Sequence, residues 1–284
     1  MTAGDDPSGF LPADFTNRSR GELLAVIDRY YDTAPRATAR VEEHGSLVLF
    51  VAERGWPFYA RPRLDRITEP TADEVRAVLT RQRELHVPLA LEWVHETAPS
   101  LAAAARAAGM TVQECPLLAL GSLAEQHPID ALVRLLDADD AEVAIVRAAI
   151  GVAFSTPGTG IAQVGVAERD EEAATADPDL LGFVRDVIRE GRGVLAGAFV
   201  DGAGAVGGGS HNPRGQVSEM VGVGVLPAYR RRGLAAAVAH LLARQALDNG
   251  VTTVFCGAES SDVARVYEKV GFRRVGTTCM AGVS

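Results

Sequence analysis

The chain has only three cysteines, a single lysine (Lys269) and an aromatic share of 6%. Cys115, Cys256 and Cys279 are odd in number and sit at no metal-like spacing, so they argue against a disulfide framework and fit a reducing compartment. No stretch approaches the ~20 uninterrupted apolar residues that cross a bilayer. Met1 to Ser19 carries Asp5, Asp6 and Asp14 without an apolar core, unlike a secretory signal. A cytoplasmic protein with no membrane partner is therefore expected. Positive charge is short as well. The net charge of −9 is spread over both halves and leaves no basic face for a phosphate backbone, so nucleic acid is not an expected partner. No metal is expected either: His95-Glu96 opens a zinc-protease pattern, but Pro99 stands where its second histidine belongs.

What remains is an ordinary globular composition, 47% apolar and 23% charged, over 284 residues, enough for two domains of moderate size. Residues 1–20, rich in Gly, Pro, Asp and Ser, read as a loose arm. Residues 21–121 read as a first domain: helices at Glu22–Tyr31, Thr71–Leu85 and Pro99–Ala108, and strands at Leu47–Ala52, Trp56–Ala60, Leu89–Val94 and Thr111–Leu120. Thr71 with Glu74 three residues on is a capping box. Residues 122–128 are polar and turn-rich and read as a linker.

Residues 129–284 read as a second domain. Strands are expected at Ala131–Leu136, Val194–Val200, Ala205–Ser210, Val217–Leu226, Thr252–Cys256 and Phe272–Met280. Helices are expected at Asp139–Ala153, Leu180–Arg189, Gly233–Leu247 and Asp262–Lys269. Short Gly-rich turns in the middle suit an antiparallel meander, so the class is α/β around a mixed, mostly antiparallel sheet flanked by helices. The run Gly202-Ala203-Gly204-Ala205-Val206-Gly207 spells a dinucleotide fingerprint, but a strand follows it instead of a helix. Cys256, on an apolar strand, reads as structural, and His211, in a loop, as a surface residue. The acidic run Glu168 to Asp179 reads as a solvated loop or helix face.

The segment that carries chemistry is Val221-Gly222-Val223-Gly224-Val225-Leu226-Pro227-Ala228-Tyr229-Arg230-Arg231-Arg232-Gly233-Leu234-Ala235. An apolar strand runs into three arginines and then a glycine that opens a long helix. The first amides of a helix lack intrahelical partners and lie at the positive end of its dipole. Gly233 permits close backbone approach and Ala235 keeps the first turn small. The three arginines add charge-assisted donors, and the whole is a site for phosphate oxygens.

Arg230-x-x-Gly233-x-Ala235 after an apolar strand resembles the pyrophosphate loop of the GNAT superfamily of acyltransferases. Downstream, Tyr267-Glu268-Lys269-Val270-Gly271-Phe272 is similar to the last helix of that family. The resemblance covers roughly residues 129–284 and implies acetyl-CoA as co-substrate, with no metal. It places the pantetheine arm along Val223, Gly224 and Val225, and the pyrophosphate on Arg230, Arg231, Arg232, Gly233, Leu234 and Ala235. It gives the amide near Val225 to the thioester carbonyl and makes Tyr267 the general acid. Ser260 stands where many members have an asparagine that touches the cofactor. Glu219, a carboxylate in an apolar strand, is the candidate base that deprotonates the acceptor ammonium.

A weaker repeat, at a shift of about 162 residues, aligns Leu91–Met110 with Thr253–Phe272. The preferred reading is two GNAT copies in tandem, the first degenerate: Ala105 falls at the place of Tyr267, and no Arg-x-x-Gly-x-Ala precedes Leu89. Strand–helix–Gly–strand is also a common arrangement in its own right. Trp56, Phe58, Tyr59 and Trp93 either line a cleft or, on the safer reading, pack a core. The expected activity is N-acetylation of a small-molecule or N-terminal amine by a monomer or homodimer. The alternatives are a mycothiol-synthase-like enzyme and a non-catalytic acyl-CoA sensor.

Overall fold

The computed structural model describes residues 18–283; most of the expected N-terminal arm, residues 1–17, lies outside the described residues. In chain order the elements are α1 (Arg20–Thr33), β1 (Ala39–His44), β2 (Leu47–Ala52), β3 (Ala60–Pro62), α2 (Ala72–Glu84), β4 (Ala90–Val94), α3 (Leu101–Ala107) and β5 (Thr111–Leu120). They continue with β6 (Leu132–Leu136), α4 (Val143–Ser155), α5 (Val166–Ala174), α6 (Pro178–Arg189), β7 (Val194–Val200), β8 (Gly204–Arg214) and β9 (Val217–Val225). The last are α7 (Leu234–Asp248), β10 (Thr253–Gly257), α8 (Ser261–Glu268) and β11 (Phe272–Gly282). No helix of the described residues is long and apolar enough to cross a membrane.

Two compact units emerge, and they divide the chain after Leu117 and again after Arg273. The turn-rich segment 122–128, expected as the linker, falls inside the second unit, and the last strand, expected in the second domain, contributes Arg274 onward to the first. Turn residues mark where a chain bends, but compactness follows strand pairing, and β11 pairs with β4 in register Thr278↔Val94 to Gly282↔Ala90.

In the first unit the sheet order is β1-β2-β3-β4-β11-β5; β1–β2, β2–β3 and β4–β11 are antiparallel and β3–β4 is parallel. Alternation sorts its two faces. Leu47, Leu49, Ala60, Leu91, Trp93 and Cys279 join α2 and α3 in one apolar core. The residues between them, Arg61 and Glu92 included, face the other way. Trp93 is fully buried, as the core reading of the aromatics has it, whereas Trp56 (41% exposed) and Tyr59 (43%) are not. The strand expected at Trp56–Ala60 begins instead at Ala60. Strand β1 was not expected: Arg40, Glu42 and Glu43 give it the polar look of an edge strand.

In the second unit the order β10-β9-β8-β7-β6 is antiparallel apart from the β10–β9 pair. The core of α7 residues Leu234, Val238 and Leu242 with Val206, Met220 and Val254 lies on one face, while α4 packs Val146 and Ile150 with Leu195 and Ala205 on the other. The β8 glycines are there for contact. A Cβ on Gly208 would stand 2.6 Å from Ala196 O and Val146 Cγ1, and one on Gly209 would stand 2.8 Å from Val223. Helix α5 was not expected as a separate element, because its exposed acidic residues hide the periodicity; Arg169 fastens it by donating to Ala203 O and Ala205 O at 2.7 and 2.6 Å.

Candidate functional site

Strand β9 organises the site. It pairs with β8 along its length, but its parallel ladder with β10 spans only Val217–Glu219 against Thr253–Phe255. Past Glu219 the two strands part. Gly222, at φ +64°, is the extra residue of a bulge where the β8 register shifts between Gly208 and Ser210, and such a bulge bends the strand that carries it. Leu226 N donates to Val206 O at 2.8 Å on the β8 side. Since backbone groups alternate along a strand, Val223 and Val225 turn their N–H and C=O toward the open edge.

Beyond Val225 the chain makes one turn over Pro227–Tyr229 and reaches two left-handed residues, Arg231 (φ +67°) and Gly233 (φ +79°). Left-handed residues in such a turn bring successive amides to one concave side, which suits an anion. A positive φ is uncommon for an arginine, and the turn holds Arg231 there. Gly233 is the N-cap of α7 and provides no side-chain cap, and the first turn has no acidic residue. The first amides of α7 therefore keep their donors free at the positive end of the dipole.

The three arginines, expected together on phosphate, separate into three roles. Arg230 points inward: Nε donates to Val225 O (3.2 Å), Nη1 to Gly160 O (3.2 Å), and Nη2 to Ala153 O (3.0 Å) and Thr156 O (2.6 Å). Its guanidinium braces the turn from beneath, against the end of α4 and the segment before α5. Ala228 N, donating to Val164 O at 3.0 Å, fastens the same join. A cation that binds carbonyls so fully is a poor phosphate ligand, and this corrects the expectation for Arg230. Arg232 lies over the Tyr229 ring at 5.0 Å. Arg231 is exposed and has no partner among the described residues, which leaves it as the free cation of the turn.

Tyr267, on α8, is 5% exposed, with its ring edge-on to Phe272 at 5.6 Å. Its hydroxyl makes no hydrogen bond to the described residues. Burial, and then the neighbouring Cys256, hold its pKa well above the usual value, so it keeps its proton. The Cys256 thiol is likewise pushed well up by burial and then by Glu219, which makes it an inert core thiol as expected. Glu219 sits across from Phe255 on β10 and Asn212 on β8. The fold thus strings Glu219, Cys256 and Tyr267 together where β9 and β10 part.

Two expected residues have other duties. Ser260 caps α8, its Oγ accepting from Val263 N at 3.3 Å. His211, expected on the surface, is 1% exposed: Nδ1 lies 2.8 Å from Ser218 Oγ and Nε2 2.6 Å from Gln245 Oε1. The amide oxygen can only accept, so Nε2 carries the proton and the serine hydroxyl donates to Nδ1. Burial lowers the His211 pKa and keeps it neutral. Sequence reading missed the bulge at Gly222; its one signal was the spacing of Gly222 and Gly224 in an otherwise β-branched run. A cleft of about 470 Å³ between α4 and α5 is lined by Val152, Ser155, Thr156, Val164 and the acidic face of α5.

Residues 162–272 match the model of the acetyltransferase (GNAT) family. No curated protein matches the chain. Among solved structures, a GCN5-related N-acetyltransferase from Kribbella flavida is 22% identical, covers 92% of this chain and 95% of its own, and has a TM-score of 0.65. A GCN5-related N-acetyltransferase-like protein from Streptococcus suis is 14% identical over 94% of this chain and 100% of its own, with a TM-score of 0.55. A tandem GNAT protein from the clavulanic acid biosynthesis pathway is 13% identical over 96% and 97%, with a TM-score of 0.52. At these identities the likeness is one of fold.

Proposed function

Starting from a chain whose residues 162–272 match the GNAT acetyltransferase family, we propose that it transfers an acetyl group from acetyl-CoA to a primary amine. The acceptor is a small molecule or an N-terminus, and the amine attacks the thioester directly, with no covalent enzyme intermediate. One observation carries this reading: the edge of β9 that β10 leaves unpaired runs straight to the uncapped start of α7. The Val223 N–H and C=O and the Val225 N–H suit an extended amide-bearing arm. The amides from Arg231 to Ala235, with the Arg231 side chain, suit a pyrophosphate.

Acetyl-CoA supplies a thioester, in which carbon is open to a neutral amine and sulfur is the leaving group. The residues of the chain supply the rest. Glu219 takes a proton from the acceptor ammonium, directly or through water. The Val225 amide stabilises the negative charge that develops on the thioester oxygen. As the C–S bond breaks, Tyr267 donates its proton to the sulfur and is reprotonated through water by the second proton leaving the acylated nitrogen. The first unit, on this reading, is a degenerate second copy, with Ala105 at the place of Tyr267.

The test is thermal unfolding with acetyl-CoA or free CoA, on wild type and on Gly233→Glu. Binding to the native state alone stabilises by about 2.7 kcal/mol at a hundredfold excess over Kd, a rise of several degrees. The variant places a carboxylate on the anion site and should lose that rise. If the wild type itself shows none, the cofactor reading fails.

A further inference from the structure

The first unit contains a second polar site, under α1 and on the sheet face opposite its apolar core. Leu91 and Trp93 point into that core, so Glu92 between them faces α1. Ala60 also points into the core, which turns Arg61 to the same side as Glu92. The parallel register Ala60↔Leu91 sets Arg61 and Glu92 side by side. Met280 of β11 flanks Glu92 on its other side.

Arg61 is 2% exposed. Its Nη2 donates to Asp28 of α1 and its Nε to Pro62 O, and the guanidinium lies 6.0 Å from the Tyr31 ring centre. Nη1 is buried without a partner. Glu92 is partly buried and makes no hydrogen bond or ion pair with any described residue. Asp32, the other acid on this part of α1, is neutralised by Arg36 at 2.8 Å. The remaining charges are two carboxylates, Asp28 and Glu92, against one guanidinium. A donor and a carboxyl, each without a hydrogen-bond partner, thus lie adjacent on one face.

We propose that Glu92 and Arg61 bind an α-amino acid group, the ammonium on the Glu92 carboxylate and the neighbouring carbonyl or carboxylate oxygen on Arg61 Nη1. Such a ligand satisfies both idle groups at once; a simple amine or a simple acid satisfies only one. Burial, opposed in part by Arg61, raises the Glu92 pKa to about 7. Near neutrality the free site is about half protonated, and the arriving ammonium drives the proton off. The inference stands apart from the acyl-transfer reading, because it needs no acyl donor.

Titration calorimetry of the full chain, without acetyl-CoA, tests it. The probes are L-leucine, L-glutamate and L-lysine, with n-butylamine and acetate as half-ligands and leucine amide as the stand-in for a peptide N-terminus. At least one amino acid should bind, more tightly than either half-ligand. Its affinity should rise about tenfold from pH 6 to pH 8, with proton release at pH 6 seen in buffers of different ionisation heat. Binding of the amide as well as the free acid would identify an amino-acyl end as the source of the group. Glu92→Gln should weaken binding at least about tenfold and abolish its pH dependence; Glu92→Asp should weaken it and keep the proton release. The proposal is overturned if no amino acid binds, if n-butylamine binds equally well, or if Glu92→Gln leaves the affinity intact.

Discussion

Helices α2 and α7 begin in opposite ways. At α2 the Thr71 hydroxyl accepts from Glu74 N, and Glu74 Oε2 accepts from Thr71 N at 2.8 Å, while Asp73 adds a further negative charge. Burial pushes the Glu74 pKa up, yet the bonds from Ser46 and Thr71 outweigh it and hold the carboxyl below its usual range. The positive end of α2 is closed by the chain's own anion. At α7 a left-handed glycine stands where the cap would be, and no acid follows. The strands differ in the same sense: β4 is paired with β11 from Ala90 to Val94, whereas β9 loses β10 after Glu219. A helix start left without its ordinary bonds is the one suited to an anion, and a start already closed by its own acid is not.

The comparison breaks most sharply at Tyr267. In Tyr267→Phe the ring and its contact with Phe272 stay while the acid is lost, so turnover should fall on the order of 100-fold or more with little change in melting temperature. Ala105, at its place in the repeat, offers no group to remove. A normal rate in Tyr267→Phe would refute its role.

Next in size is a pH effect confined to the first unit. The pKa of Glu92 rises from 4.5 to about 7 on folding, so the folded state holds the proton more tightly than the unfolded one between those values. The stability this gives is complete below about pH 4.5 and is lost as pH rises through 7, roughly 2 kcal/mol after allowance for contact with water. Denaturant midpoints at pH 5 and pH 8 should differ in wild type and converge in Glu92→Gln; equal slopes in both proteins would contradict the assignment.

The smallest effect concerns the closed helix start itself. Thr71→Ala should cost ~1 kcal/mol of stability and leave stabilisation by acetyl-CoA unchanged. A change in cofactor binding in that variant would contradict the assignment of the cofactor to the start of α7.

The turn ahead of α7 was legible in the sequence because its requirements are local: a glycine at φ +79° and an uncapped helix show in neighbouring residues. Arg230 was harder to read, since four carbonyls from three parts of the chain settle where it points. His211 went inward for the same kind of reason, because Gln245 on α7 supplies the acceptor that makes its burial tolerable. The juxtaposition of Arg61 and Glu92 needs the register of two strands and had no sequence signature. The division of the chain was hidden too, since no local pattern announces that a strand after Arg273 joins residues before Leu117.

That last strand sets an order of assembly. During synthesis the first unit emerges early, yet the partner that covers the edge of β4 is translated only after all of the second unit. At ~5–20 residues per second, β4 waits on the order of ten seconds with a bare edge. The N-terminal unit is thus the last to be completed.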